Sequence, residues 1–218
     1  MPDTLTVNET FTSIQGESTY AGSLCFFIRL AGCNLACAYC DTTYASTPSD
    51  GKNIELSELV KMAVDEGVKT VEITGGEPLL QENTPQLCKM LQEKDFHVLV
   101  ETNGSLPVSI LPAGTIRIID CKTPSSGEAG AMDFSNFEII NENDEIKFVI
   151  SDYADFEYSL ETIRKYSLDS KTEKILFSPV CGTLDPEELA GWMIKSKAPA
   201  RFQLQLHKII WSPDKRGV

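Results

Sequence analysis

Three cysteines within eight residues, Cys33, Cys37 and Cys40 in the run GCNLACAYCDT at 32–42, constrain this chain more than any other feature. Three thiolates make an incomplete coordination shell. Structural zinc takes four protein ligands, and the two histidines of the chain, His97 and His207, are far away in sequence. An iron-sulfur cube also takes four ligands, so three cysteines leave one iron open to a molecule that is not protein. Such an open corner suits a reductive reaction on a bound cofactor. The spacing of three then two residues differs from the ferredoxin run of two and two, in which every iron is closed for electron transfer. A zinc knuckle that borrows a fourth ligand, or a chance grouping, stands beside this reading.

Composition narrows the classes of function. A net charge of -13 repels a phosphate backbone, which argues against direct work on nucleic acid and for a small-molecule substrate. The chain has no run of about 18 apolar residues for a membrane span, and residues 1–9 lack the basic and apolar regions of a signal peptide. A cytoplasmic location is expected. It suits an odd count of seven cysteines, of which Cys25, Cys88, Cys121 and Cys181 stand singly and read as buried thiols.

The chain alternates apolar strand-like runs with helix-like patterns, without repeats or linkers that would divide it, so 218 residues read as one domain. Strands are predicted at 24–30, 69–74, 97–101, 116–120, 146–150, 174–177 and 202–206. Helices are predicted at 57–66, 84–94, 154–166 and 186–196. Ser57 and Asp185 are candidate caps, and Leu59, Val60, Ala63 and Val64 form the inner face of the first helix. Helical period is weak between the third and fifth strands. Strand and helix units of this length argue for an α/β fold with parallel strands and right-handed crossovers, closing partway toward a barrel.

The unusual residues fall just past strand ends, where such barrels gather their sites. Gly75-Gly76-Glu77-Pro78 follows the second strand, with two residues lacking side chains and a carboxylate suited to an ammonium group. Thr102-Asn103-Gly104 follows the third, the run from Cys121 through Ser126, with Lys122 and Pro124, the fourth, and Phe177-Ser178-Pro179-Val180 the sixth. Each alone could be an ordinary turn or cap. Three further places stand outside this pattern. Ile14-Gln15-Gly16-Glu17 flanks a glycine with an amide and a carboxylate, which can read the donor and acceptor edge of a pterin- or guanine-like ring. Arg29 is a cation inside an apolar strand and needs an anionic partner, from substrate or protein. The tail at 203–218 carries His207, Lys208 and Val218.

The CxxxCxxC run with Tyr39 before its last cysteine resembles the signature of the radical S-adenosylmethionine (SAM) superfamily, and Gly75 to Pro78 is similar to its GGEP motif. The resemblance implies an abridged partial TIM-like (β/α) barrel. It also implies a 4Fe-4S cluster on Cys33, Cys37 and Cys40, whose open iron takes SAM and delivers an electron that releases a 5'-deoxyadenosyl radical. The runs SIQGES, FIRLAGCNLACAYCDT, TGGEPLLQ, ETNG and QLHKIIW, spread over most of the chain, resemble the 7-carboxy-7-deazaguanine synthase family of queuosine and deazapurine biosynthesis. That likeness implies a lyase that rearranges 6-carboxy-5,6,7,8-tetrahydropterin with loss of ammonia, regenerating SAM. It implies a magnesium ion on Thr42, since magnesium prefers oxygen ligands. SAM contacts would fall to Tyr39, Asp41, Gly75, Gly76, Glu77, Asn103, Lys122, Pro124, Ser178, Pro179 and Val180. Substrate contacts would fall to Ile14, Gln15, Gly16, Glu17, Arg29, Thr74, His207 and Val218, although a partly buried, satisfied His207 is the favoured reading of that residue. Relatives imply a homodimer and a flavodoxin- or ferredoxin-like electron donor.

Two competing readings use the same cysteines. An activase for a glycyl-radical enzyme would act on a protein and would not require Gln15, Gly16 and Glu17 or a tail in the pocket. A non-enzymatic iron-sulfur or zinc module would not require GGEP.

Overall fold

The computed structural model describes residues 3–212 and 215–218; Met1 and Pro2 at the start, and Pro213 and Asp214 within the expected tail, lie outside the described residues. In chain order the elements are β1 (Thr4–Ile14), β2 (Leu24–Leu30), β3 (Lys52–Glu55), α1 (Leu56–Glu66), β4 (Thr70–Gly75), α2 (Thr84–Gln92) and β5 (His97–Thr102). Then come β6 (Ile116–Asp120), β7 (Glu145–Ile150), α3 (Tyr153–Tyr166), β8 (Ile175–Pro179), α4 (Pro186–Ser196), β9 (Arg201–Phe202) and α5 (Leu206–Ile210). One sheet joins the strands in the order β3-β1-β2-β4-β5-β6-β7-β8-β9. From β2 to β9 every pairing is parallel, and β1 runs antiparallel between β2 and β3. The end strands do not meet, so the barrel is partial.

Register decides what the two faces carry. Residues paired across a ladder share a face, and side chains alternate along each strand. Phe26, Ile28, Val71, Ile73, Val98, Val100, Ile119, Ile146, Phe148, Ile150, Ile175 and Phe177 all point outward into one core shared with the helices. Each fully buried Phe or Ile there stabilises the fold by about 1.5–3 kcal/mol relative to exposure. The alternate positions face the hollow of the sheet, where Arg29 pairs with Thr74, Phe27 with Glu72, and Asp120 with Lys147. The connections from β5 to β6 and from β6 to β7 hold short 3-10 turns but no α-helix, as the weak helical period predicted. In the second of them Phe134 and Phe137, on a 3-10 turn at Phe134–Ile139, pack on Tyr166 of α3.

Several local expectations are corrected. Ser57 is not the cap of α1: that position belongs to Glu55, which makes no side-chain capping bond, and Ser57 lies inside the helix. Val64 is 50% exposed, because it has drifted off the stripe formed by Leu59, Val60 and Ala63. Asp185 does cap α4, accepting from Glu187 N at 2.9 Å. β1 was not foreseen, because its Thr-rich run TLTVNETFTSI is only partly buried and lacks an apolar block. The expected strand at 202–206 shrinks to β9. Gln203 donates through Nε2 to Ser18 O at 2.7 Å, and Leu206 N donates to Gly16 O at 2.9 Å, which diverts the chain into α5. Cys181 is exposed, unlike the buried Cys25, Cys88 and Cys121. Among the described residues no helix is long and apolar enough to cross a membrane.

Candidate active site

A cavity of about 1260 Å³ occupies the hollow of the sheet and opens past the carboxyl ends of the parallel strands. Cys33, Cys37 and Cys40 line one region of it. Their loop is pinned by Gly32 N to Ala45 O, Cys33 N to Ser46 O and Ala38 N to Ser126 O, at 2.8, 2.8 and 3.0 Å. Gly76 is what lets the loop lie so close to β4: a Cβ there would stand 2.0 Å from Gly32 O and 2.9 Å from Cys33 N. The Sγ of Cys33 accepts from Leu35 N at 3.5 Å and from Asn103 Nδ2 at 3.8 Å. Burial pushes the Cys37 and Cys40 thiols up from their ordinary value, and in each case the nearby Lys122 ammonium partly opposes it. Ligation of a metal would therefore release protons.

Around the thiols, Tyr39 fixes its ring by sharing a 3.1 Å hydrogen bond with Thr123 Oγ1, and burial with the nearby Asp120 raises its hydroxyl to about 12. Lys122 donates to Asp120 Oδ2 at 2.8 Å; burial disfavours its charge, but Asp120 outweighs burial and raises its pKa. Asp41 pairs with Lys208 of α5 at 2.6 Å. Burial would raise its carboxyl, yet the ammonium prevails and holds it at about 2. Thr42 Oγ1 donates to Asp41 Oδ1 at 3.0 Å and makes no cap bond to the turn behind it.

The far wall carries the substrate candidates. Gln15 is fixed at both ends: its Oε1 accepts from Glu17 N at 2.8 Å, which leaves Nε2 to donate to Glu72. A Cβ on Gly16 would fall 2.4 Å from His207 Nδ1, so the glycine is what allows α5 to dock there. His207 is shifted downward by burial, against the pull of Glu17. Arg29 finds a protein partner, donating through Nε to Glu9 Oε1 at 2.9 Å, and its guanidinium flanks the rings of Phe11 and Tyr44. Ile14, Thr74 and Val218 also line the wall, and the Arg216 guanidinium lies 3.9 Å over Tyr44.

Four candidates do not reach the cavity. Glu77 is fully buried beneath it, and its carboxylate is occupied by Leu79 N, Thr102 Oγ1 and Asn103 N at 3.0, 2.7 and 2.7 Å. It therefore fastens the Asn103 turn rather than offering itself to an ammonium group. Pro124, Ser178 and Pro179 lie behind the lining, to which Val180, Cys181 and Thr183 contribute from the segment after β8. Conversely, the sequence reading missed Glu72, Glu101, Asp120 and Lys147, all on the wall. The signal was the one that singled out Arg29: a charged residue at an inward position of an otherwise apolar strand.

Residues 27–118 match the Radical SAM superfamily, and together with relatives along nearly the whole chain this defines the class of the protein as a radical SAM enzyme. The 7-carboxy-7-deazaguanine synthase of Koribacter versatilis is 40% identical over 97% of this chain and 99% of its own. That of Chlorobaculum tepidum is 44% identical over 98% and 97%. The crystal structure of QueE from Escherichia coli superposes with a TM-score of 0.78 at 24% identity, covering 94% of this chain and 95% of the other, and so shares the fold. The chain belongs to the 7-carboxy-7-deazaguanine synthase family.

Membership of the superfamily implies a 4Fe-4S cluster and SAM, and the residues fit them. Among the described residues no three His, Cys, Asp or Glu side chains gather around a single metal position. A cube does not require this, because each cysteine binds a different iron. Gly75 and Gly76 line the cavity beside Cys33, and their missing side chains let the end of β2 and the cysteine loop lie against the strand end, which brings the thiols to the cavity.

Proposed function

We propose that this enzyme converts 6-carboxy-5,6,7,8-tetrahydropterin to 7-carboxy-7-deazaguanine with loss of ammonia. The observation that carries the reading is that one cavity is lined by the three thiols and also by Gln15, Glu17, Arg29 and His207. A large ligand and a small one can share it, side by side. When bound, the cluster and SAM supply the 5'-deoxyadenosyl radical that takes a hydrogen atom from the substrate.

The rest is positioning by the chain. Asn103 and the glycines at 75 and 76 shape the bed for SAM, with Tyr39, Lys122 and Val180 closing around it. Only the Nε of Arg29 is spent on Glu9. The two terminal nitrogens of its fork are suited to the substrate carboxylate. Gln15 and Glu17 present an amide and a carboxylate to the pterin edge, and Thr42 offers its hydroxyl to magnesium beside the substrate carboxylate. Segment 215–218, held by Arg216 on Tyr44, screens the cavity from water. A flavodoxin- or ferredoxin-like reductant, a homodimeric assembly and a cytoplasmic setting complete the proposal, supported by the family resemblance.

The reading is tested by anaerobic reconstitution and mass spectrometry of a reaction with SAM, reductant, magnesium and the carboxytetrahydropterin. The expected product is lighter than the substrate by one ammonia. An unchanged pterin alongside accumulating 5'-deoxyadenosine would refute it. The activase alternative has less support, because it leaves Gln15, Glu17 and the tail segment without a purpose.

A further inference from the structure

Lys147 stands on β7 inside the hollow and is only 4% exposed. Its ammonium meets Glu17 Oε2 at 2.8 Å, the carboxylate of Glu101 in close contact, and Asp120 Oδ2 at 3.7 Å. These partners come from three separate places: the loop after β1, β5 and β6. An ammonium has three donors, and three carboxylates surround this one. Two of the donors are taken by Glu17 and Glu101, and Asp120 at 3.7 Å adds charge without a hydrogen bond, so Lys147 decides where the ligand-facing oxygens of its partners stand.

Those oxygens are well held. Glu17 is fixed by Lys147 on Oε2 and by Gln205 Nε2 at 2.8 Å on Oε1. The other oxygen of Glu101 is 3.4 Å from Thr74 Oγ1, a long contact that leaves it open toward the cavity. Burial opposes the charge on Lys147, yet Glu101, Glu17 and Asp120 together raise the ammonium pKa; burial likewise opposes the charge on Glu17, yet Lys147 and His207 hold its carboxyl at about 2. Glu72, the remaining carboxyl of this wall, makes no contact with Lys147 and is spent on Gln15.

We propose that Lys147 is a positioning residue that sets Glu17 and Glu101 as a fixed pair of acceptors, and thereby selects a ligand that presents neighbouring N–H donors on a cyclic guanidine. This deepens the proposed function and rests on it, since the pyrimidine ring of a pterin carries that group. A ligand without the donors leaves buried acceptors unpaired. Sites built to bond a donor reject analogues lacking it by orders of magnitude.

The test compares the carboxytetrahydropterin with its analogue lacking the 2-amino group, on reconstituted enzyme. Lys147→Met is expected to raise KM for the natural pterin about 30-fold or more, the scale for breaking one partner of a buried charge pair. The preference over the analogue should shrink by about tenfold, while iron content and SAM affinity stay at wild-type levels. Lys147→Arg, which keeps a cation that can bridge the pair, should restore most of the preference. An unchanged preference, or an equal loss in SAM binding, would overturn the proposal. Should Lys147→Met not fold, Glu17→Gln removes one acceptor directly, and full retention of the preference in that variant overturns it equally. If the wild-type enzyme cleaves SAM but leaves the pterin intact, the proposed function fails. Lys147 is then judged by equilibrium binding of the two pterins, where equal loss of both, or no binding of either to the wild type, overturns the inference.

Discussion

The two faces of the same parallel strands do opposite work. On the outer face, Phe148, Ile146, Ile73 and Val100 are all 0% exposed and meet only other apolar side chains. One residue along, Lys147, Glu72, Glu101 and Asp120 line a cavity, and Lys147 holds Glu101 and Asp120 by charge. Alternation thus lets a strand of six residues serve the core and the site together. The cost falls on the inner face, where Asp120 Oδ1 is buried without a partner among the described residues. Unsatisfied groups of this kind are tolerated where a ligand will meet them.

The division between the faces can be broken most sharply by one substitution on each side. Cys37→Ala should abolish turnover, a loss of about 10³-fold or more on the scale of removing an essential catalytic group, and leave the thermal midpoint of the cluster-free protein within a few degrees. Phe148→Ala should lower unfolding free energy by about 3–5 kcal/mol with kcat of the folded fraction unchanged. Thermal scans and single-turnover assays on both proteins check this, and a swap of the two phenotypes would end the distinction.

A smaller effect is expected where the faces meet. Gly76→Ala places a methyl against Gly32 O and pushes on the stretch that carries Cys33. Displacements of about 1 Å at a reacting centre cost about 10²-fold in rate. Activity per iron should fall by that order, and full activity would show that the strand end and the loop move independently.

The smallest effect concerns Glu72. Burial, with the repulsion of Glu101 added, raises its carboxyl well above the ordinary 4.5, against the pull of Lys147. The folded form then keeps a proton that the unfolded form has released. Stability from this group is complete below about pH 4.5 and is lost as pH climbs toward the folded value. Glu72→Gln keeps the neutral shape and removes the titration, so its stability curve should be flatter between pH 5 and 8, by up to about 1.4 kcal/mol per pH unit. Denaturant titrations across that range decide it: parallel curves for the two proteins would mean that Glu72 is ionised throughout.

Much of this plan was readable from residues alone. Apolar runs such as LCFFIRL and IRIID set β2 and β6 to the residue, because buried strands need continuous β-formers bounded by turns. The three cysteines and the tandem glycines announced one end of the cavity through spacing. What stayed hidden depended on contacts distant in sequence. Glu77 reads as an anion awaiting a cation until the fold carries the Asn103 turn onto it, 26 residues away. Asp41 reads as an unpaired anion until Lys208 arrives from α5. Lys147 looked like an ordinary charge in a strand, since nothing local reveals that Glu17, 130 residues earlier, closes over it.

The most direct measurement is anomalous diffraction at the iron and zinc absorption edges, from crystals grown without oxygen in the presence of SAM and the carboxytetrahydropterin. The account predicts four irons at Cys33, Cys37 and Cys40, with the pterin across the cavity between Arg29 and the Glu17–Glu101 pair. A single zinc on those thiols, or a pterin bound outside the hollow of the sheet, would contradict it.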